Sequence, residues 1–258
     1  MQQSTTLSEP TAVEVIGIRT HAQRFDEALA RLSAWAGTRT ARRVTFCSVH
    51  PLMYALEDAD MRRALDTAAM TAADGMPVVW AQRALGFAWA ERVYGPDMML
   101  ALCEATRTQP VRHFFLGGAP GVAEILIDTL QTRFPGITIA GWISPMIDER
   151  GDDPSDTVRE AILQAQPDLI WVGLGAPKQD LWMLRNADLP CLMLGVGAAF
   201  DFISGRKPQA PRWMQRSGLE WVFRLVSEPR RLWQRYLIYN PRFVVGFTRQ
   251  WLAHKLNR

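Results

Sequence analysis

Up to about residue 205, short apolar runs rich in β-branched and aromatic residues alternate with longer stretches of helical period. The runs at 13–18 (VEVIGI), 43–47 (RVTFC), 112–117 (RHFFLG), 137–142 (ITIAGW), 169–173 (LIWVG) and 191–196 (CLMLGV) predict strands, and 24–36, 61–70, 97–107, 121–133, 156–165 and 178–186 predict helices. Strands that are apolar throughout need cover on both faces, and intervening helices supply it. The expected fold class is therefore α/β, a Rossmann-like, doubly wound and mostly parallel sheet.

Beyond Gly205 the period changes. Leu219, Val222, Phe223 and Val226, then Leu232, Trp233, Tyr236 and Leu237, then Phe243, Val244, Phe247 and Trp251 recur at three- and four-residue spacing, the mark of amphipathic helices. Pro229 and Pro241 are expected to separate three of them. The division this suggests is a catalytic body over 1–205 and a helical, basic C-terminal appendage over 206–258.

Composition narrows the class. With 258 residues, 48% hydrophobic and 10% aromatic, the chain is neither disordered nor of low complexity. No window of about 18 uninterrupted apolar residues predicts a membrane-spanning helix. The N-terminus has no basic region followed by an apolar one, and Cys47, Cys103 and Cys191 sit far apart in apolar contexts, so a cytoplasmic protein with free thiols is expected. The net charge of +3 hides an asymmetry: residues 206–258 hold 12 basic residues against Glu220 and Glu228, a formal +10, while residues 1–205 carry −7.

In open α/β sheets ligands bind beyond the carboxyl ends of strands. Four loops there are candidates. Gly117, Gly118 and Gly121 in GGAPG would let backbone N–H groups approach a phosphate, or serve turn geometry alone. Lys178 and Gln179 follow Pro177 where a sugar or phosphate would sit, or are solvated first-turn residues. Asp201 faces a ligand or caps a turn. Asp74, in Asp-Gly, is a turn residue or, at a strand exit, a general base. Asp58 and Asp60 have the letters of a metal-binding DxD pair but precede a helical stretch, so they are expected to cap it; Asp152, Asp153 and Asp156 are expected to cap the next helix. The four histidines show no ligand spacing with the cysteines, and no GxSxG or P-loop occurs. The basic, aromatic tail suits an anionic membrane surface, nucleic acid, or an ordinary helical subdomain.

Together, ADGMPVVW (73–80), ERVYGPDMM (91–99), FFLGGAPGVAE (114–124), DLIWVGLGAPKQD (168–180), GVGAAFDFISG (195–205) and APRWMQRSGLEWVFRLVSEPRRLWQRY (210–236) resemble, in order and spacing, the WecG/TagA/CpsF glycosyltransferases, glycosyltransferase family 26. The likeness spans roughly residues 12 to 240. It implies an inverting, metal-independent transfer of N-acetylmannosamine, its uronic acid or glucose from a UDP-sugar to a polyprenyl-diphosphate-linked saccharide. Such a reaction serves cell-surface polysaccharide biosynthesis, peripherally on the inner face of the cell membrane and with no cofactor. Carried onto this chain, it makes Asp74 the catalytic base, Arg92 and Gln179 ligands of the donor or its diphosphate, and the tail arginines Arg224, Arg231 and Arg235 the groups that complete the site. Where the family usually has Asn after the second strand, this chain has Ser48, with His50 nearby. The sequence leaves monomer or homo-oligomer open. A nucleotide-binding protein that grips nucleic acid with its tail is the alternative; an NAD(P) enzyme is disfavoured by the glycine spacing.

Overall fold

A computed structural model describes residues 9–153 and 157–256. Its elements in order are β1 (Thr11–Val15), β2 (Ile18–Ala22), α1 (Phe25–Trp35), β3 (Arg42–Cys47), α2 (Val49–Ala55), α3 (Ala59–Asp66), β4 (Met70–Ala73), α4 (Met76–Ala84), α5 (Gly95–Thr106), β5 (Arg112–Gly117), α6 (Val122–Arg133) and β6 (Thr138–Ile143). There follow α7 (Thr157–Ala165), β7 (Leu169–Gly173), α8 (Lys178–Arg185), β8 (Leu192–Gly195), α9 (Ala199–Ile203) and the tail helices α10 (Arg212–Arg216), α11 (Glu220–Ser227), α12 (Pro229–Leu237) and α13 (Tyr239–Leu256).

The strands form one eight-stranded sheet in the order β1-β2-β4-β3-β8-β7-β5-β6. β1 and β2 pair antiparallel and the other neighbours are parallel, which gives the doubly wound, Rossmann-like sheet that the alternation predicts. The central strands are covered on both sides. Phe115, Trp171 and Leu194 pack on α5 and α6, and Phe114, Ile170, Val172 and Met193 pack against Trp182 of α8. Full burial of each such side chain contributes about 1.5–3 kcal/mol, which is why these runs carry no polar alternation.

Several expectations need correction. The run at 13–18 is two strands, because Ile16 (φ 50°) and Gly17 (φ 75°) reverse the chain in a two-residue hairpin turn. β4, four residues long and Ala-rich, has too little β-branched content to stand out, and the helix expected over 61–70 stops at Asp66. Pro241 does not separate tail helices. It lies in the first turn of α13, where its missing N–H has no intrahelical partner to lose, and the break falls at Ile238 instead. The tail also holds a further short helix, α10.

The capping expectations can be placed too. Asp58 Oδ1 accepts from Met61 N–H at 2.8 Å, and Asp153 accepts from Val158 N–H at 3.0 Å; Asp156 lies outside the described residues. α13 returns to the body, where Phe243 is buried in the core beside α2, and Gln250 donates to Glu14 O and accepts from Ile16 N–H, both at 2.7 Å.

Candidate active site

A cleft of about 710 Å³ opens at the carboxyl ends of β3, β4, β7 and β8 and is roofed by α11 and α12. The position follows from the topology, since parallel strands end there in loops free to diverge. Ser48, Asp74, Arg92, Lys178, Gln179, Asp201, Arg224, Arg231 and Arg235 all line it.

Asp74 leaves β4 with its N–H on Cys47 O at 2.9 Å. Its Oδ1 is buried and accepts no hydrogen bond, while Arg92 donates from Nε to the Asp74 carbonyl and holds Nη2 3.6 Å from Oδ1. Burial pushes the Asp74 carboxyl up to about 6; the nearby Glu220 adds to the rise, and Arg92 and Arg224 oppose it. Such a group is ionised at neutral pH yet basic enough to take a hydroxyl proton.

Arg224 and Arg235 enter from the tail. Among the described residues neither makes an ion pair, and the Arg235 Nε is buried without a hydrogen-bond partner. Arg224 lies over the Phe202 ring at 5.8 Å. Burial, reinforced by the neighbouring Arg224, lowers Arg235 to about 10. Two guanidiniums close enough for one to lower the pKa of the other, neither held in an ion pair, are suited to receive an anion.

Other candidates have local tasks. Arg231 is exposed and pairs with Glu228 at 3.0 Å. Asp201 pairs with Lys207 at 3.1 Å, and Lys207 reaches Glu228 at 3.2 Å, so this chain of charges ties the body to the tail. Lys178 pairs with Glu149 at 2.8 Å. Gln179, 3% exposed, accepts from Gly175 N–H at 3.2 Å and Gly197 N–H at 3.0 Å and donates to Gly195 O at 2.9 Å. It is not a solvated first-turn residue; its amide clamps the β7 and β8 exit loops together at the floor of the cleft. Ser48 stands against Gly75, where an added Cβ would meet the Ser48 Cβ at 3.2 Å.

The phosphate cradle expected at Gly117, Gly118 and Gly121 is not part of the cleft. A Cβ on Gly117 would meet the Gly173 backbone at 2.8 Å, and Gly118 N–H donates to Gly173 O at 3.3 Å. Gly117 thus lets β5 run close beside β7, a packing role, while Gly118 (φ 80°) and Gly121 (φ 81°) take the left-handed backbone of the turn into α6. Sequence reasoning missed Tyr94, Glu220 and Asp180 at or below the cleft. Glu220 had one signal, being one of two acidic residues in a strongly basic tail.

Asp58 and Asp60 face Arg150 at 2.5 and 2.9 Å. Among the described residues no group of three or more His, Cys, Asp and Glu converges on a common point.

Comparison with known proteins decides the relationship. Residues 13–257 match the model of the glycosyl transferase WecG/TagA/CpsF family. The chain belongs to that family. Among family relatives, an N-acetylglucosaminyldiphosphoundecaprenol N-acetyl-beta-D-mannosaminyltransferase of Bacillus spizizenii is 30% identical over 194 residues, 74% of this chain and 73% of the relative. The protein of that name from Bacillus subtilis is 30% identical over 71% of this chain and 70% of its own. The one from Staphylococcus aureus is 25% identical over 87% of this chain and 88% of its own. This family membership makes the chain a glycosyltransferase.

Proposed function

We propose that the protein transfers a hexosyl group, with inversion, from a UDP-sugar to a saccharide linked to a polyprenyl diphosphate. The observation that carries this reading is the pairing, in one cleft, of a largely buried carboxyl poised near neutrality with two guanidiniums that make no ion pair among the described residues. Asp74 takes the proton of an acceptor hydroxyl, the oxygen attacks the anomeric carbon, and UDP departs from the opposite face. Arg224 and Arg235 neutralise charge on a diphosphate as it develops, a task that needs no metal ion. With residues 117–121 off the cleft, the arginines carry that stabilisation. Their inward position supports a diphosphate rather than nucleic acid as their ligand.

The relatives' names support N-acetylmannosamine as the sugar and a diphosphoundecaprenol-linked N-acetylglucosamine as the acceptor. An acceptor of that kind resides in a membrane, and the tail is suited to meet it there. No helix among the described residues is long and apolar enough to cross a membrane. The tail instead exposes Trp213, Val226, Trp233, Leu237 and Val244 beside its basic residues, a composition that favours peripheral docking on an anionic surface.

The test is UDP release from UDP-N-acetylmannosamine in the presence of a short polyprenyl-diphosphate-linked N-acetylglucosamine. Asp74→Asn is expected to lose turnover about a hundred- to ten-thousandfold while still binding the donor. Full activity of that variant would overturn the assignment of the base.

A further inference from the structure

One guanidinium serves two carboxylates in the cleft. Arg92 Nη2 is 2.6 Å from Glu220 Oε2 but 3.6 Å from Asp74 Oδ1. The Arg92 plane lies 3.9 Å over the Tyr94 ring, and the Tyr94 hydroxyl donates to Glu220 Oε1 at 3.2 Å while accepting from Gln209 Nε2 at 3.1 Å. The side chains of Arg92, Asp74 and Glu220 are 16, 23 and 13% exposed, so water screens their interactions little. Glu220 is the first residue of α11 and comes from 128 positions away, so the tail supplies the stronger of Arg92's two partners.

An arginine left alone with Asp74 would close the remaining gap and form a charge-assisted bond to Oδ1, now without a hydrogen bond. That bond would stabilise the ionised carboxylate and weaken it as a base. We propose that Glu220 is a positioning residue: docking of the tail draws the Arg92 guanidinium off Asp74 and leaves Asp74 free to accept a proton. The proposal rests on the reading of Asp74 as the base.

The charged and titratable groups facing Asp74 are Arg92 and Tyr94 from the segment before α5, Cys47 from β3, Glu220 and Arg224 from α11, and Arg235 from α12. Three of these are cations and Glu220 is the carboxylate among them. An enzyme built this way holds a weak base until its roof is seated.

The decisive measurement is the carboxyl-carbon NMR titration of Asp74 in the full-length protein, assigned by comparison with Asp74→Asn, alongside the dependence of kcat/KM on pH. Glu220→Gln keeps the size and one acceptor but removes the charge. In that variant the Asp74 titration and the acid limb of the rate profile are both expected to move down by about one pH unit or more. An unmoved titration in folded Glu220→Gln protein overturns the proposal, as does a moved titration with an unmoved acid limb.

Should Glu220→Gln not fold, Glu220→Asp, whose carboxylate is drawn back by one methylene, is expected to give a smaller shift in the same direction, and no shift there counts equally against it. If Asp74→Asn remains active, the reading of the base has failed, and the NMR titration still reports whether Glu220 controls Arg92.

Discussion

The Oε1 atom of Gln179 accepts the N–H of Gly197 at 3.0 Å, joining the loop after β7 to the loop after β8 across the floor of the cleft. Since the same oxygen holds Gly175 N–H at 3.2 Å, a single amide sets the spacing of two glycine loops. Replacement of Gln179 by Leu would leave two N–H groups and the Gly195 carbonyl without partners, and each orphaned polar group costs about 1–3 kcal/mol when it stays buried. Thermal unfolding should show a loss of about 2 kcal/mol or more, and steady-state kinetics a donor KM that rises more than kcat falls. An unchanged KM in a stable variant would remove Gln179 from the floor of the donor site.

The Asp74 carboxyl, pushed up to about 6 by burial, sets the expected pH dependence of turnover. A base must be unprotonated to act, so kcat/KM should climb with pH through about 6 and level off above it. A limb near 4, the range of an exposed aspartate, would show that Asp74 is solvated in the working enzyme.

Asp180, below the cleft, accepts from Thr45 Oγ1 at 2.9 Å, and its other oxygen is buried without a partner. Burial raises this carboxyl to about 7, whereas an aspartate in the unfolded chain titrates near 3.9. Between those values the folded protein keeps a proton that the unfolded chain has released. The stability Asp180 contributes is therefore complete below about pH 4 and is lost as pH rises through about 7. Asp180→Asn retains the acceptor for Thr45 and removes the titration. Denaturant unfolding should show the variant gaining stability relative to the wild type between pH 5 and pH 8; a constant difference across that range would mean that Asp180 is not held protonated.

The exposed apolar residues of α12 and α13 give a membrane prediction. Trp233 is 47% and Leu237 56% exposed, so neither is fully committed to the core. Inserting such a side chain into the interface contributes about 1.5 kcal/mol or more, close to tenfold in partitioning. Trp233→Ser and Leu237→Ser should each weaken sedimentation with anionic vesicles by about that factor, with circular dichroism unchanged. Equal binding by both variants would place the docking face elsewhere.

Legibility followed the range of the interaction that decides each feature. The runs at 112–117 and 169–173 became β5 and β7 almost to the residue, because a strand buried on both faces writes its environment into consecutive side chains. Motif likeness picked out Asp74 and Arg92. It also drew attention to residues 117–121, where a glycine needed for the approach of one strand to another looks the same, in sequence, as one needed for the approach of a phosphate. β4 was hidden by its Ala-rich brevity, and the hairpin at Ile16 and Gly17 by an apolar run that continues through the turn.

The alternation of apolar runs and helical periods determined the α/β class, and the charge of the last 53 residues set the tail apart, since both depend on local composition and solvation. Motif likeness named Arg224, Arg231 and Arg235, but that Arg231 stays exposed beside Glu228 while Glu220 turns inward with the other two was settled by the tertiary structure. Glu220, Arg224 and Arg235 are ordinary members of amphipathic helices until α11 and α12 close over the sheet. Only then does burial raise Asp74, because the low dielectric that shifts a carboxyl is made by residues far away in the chain.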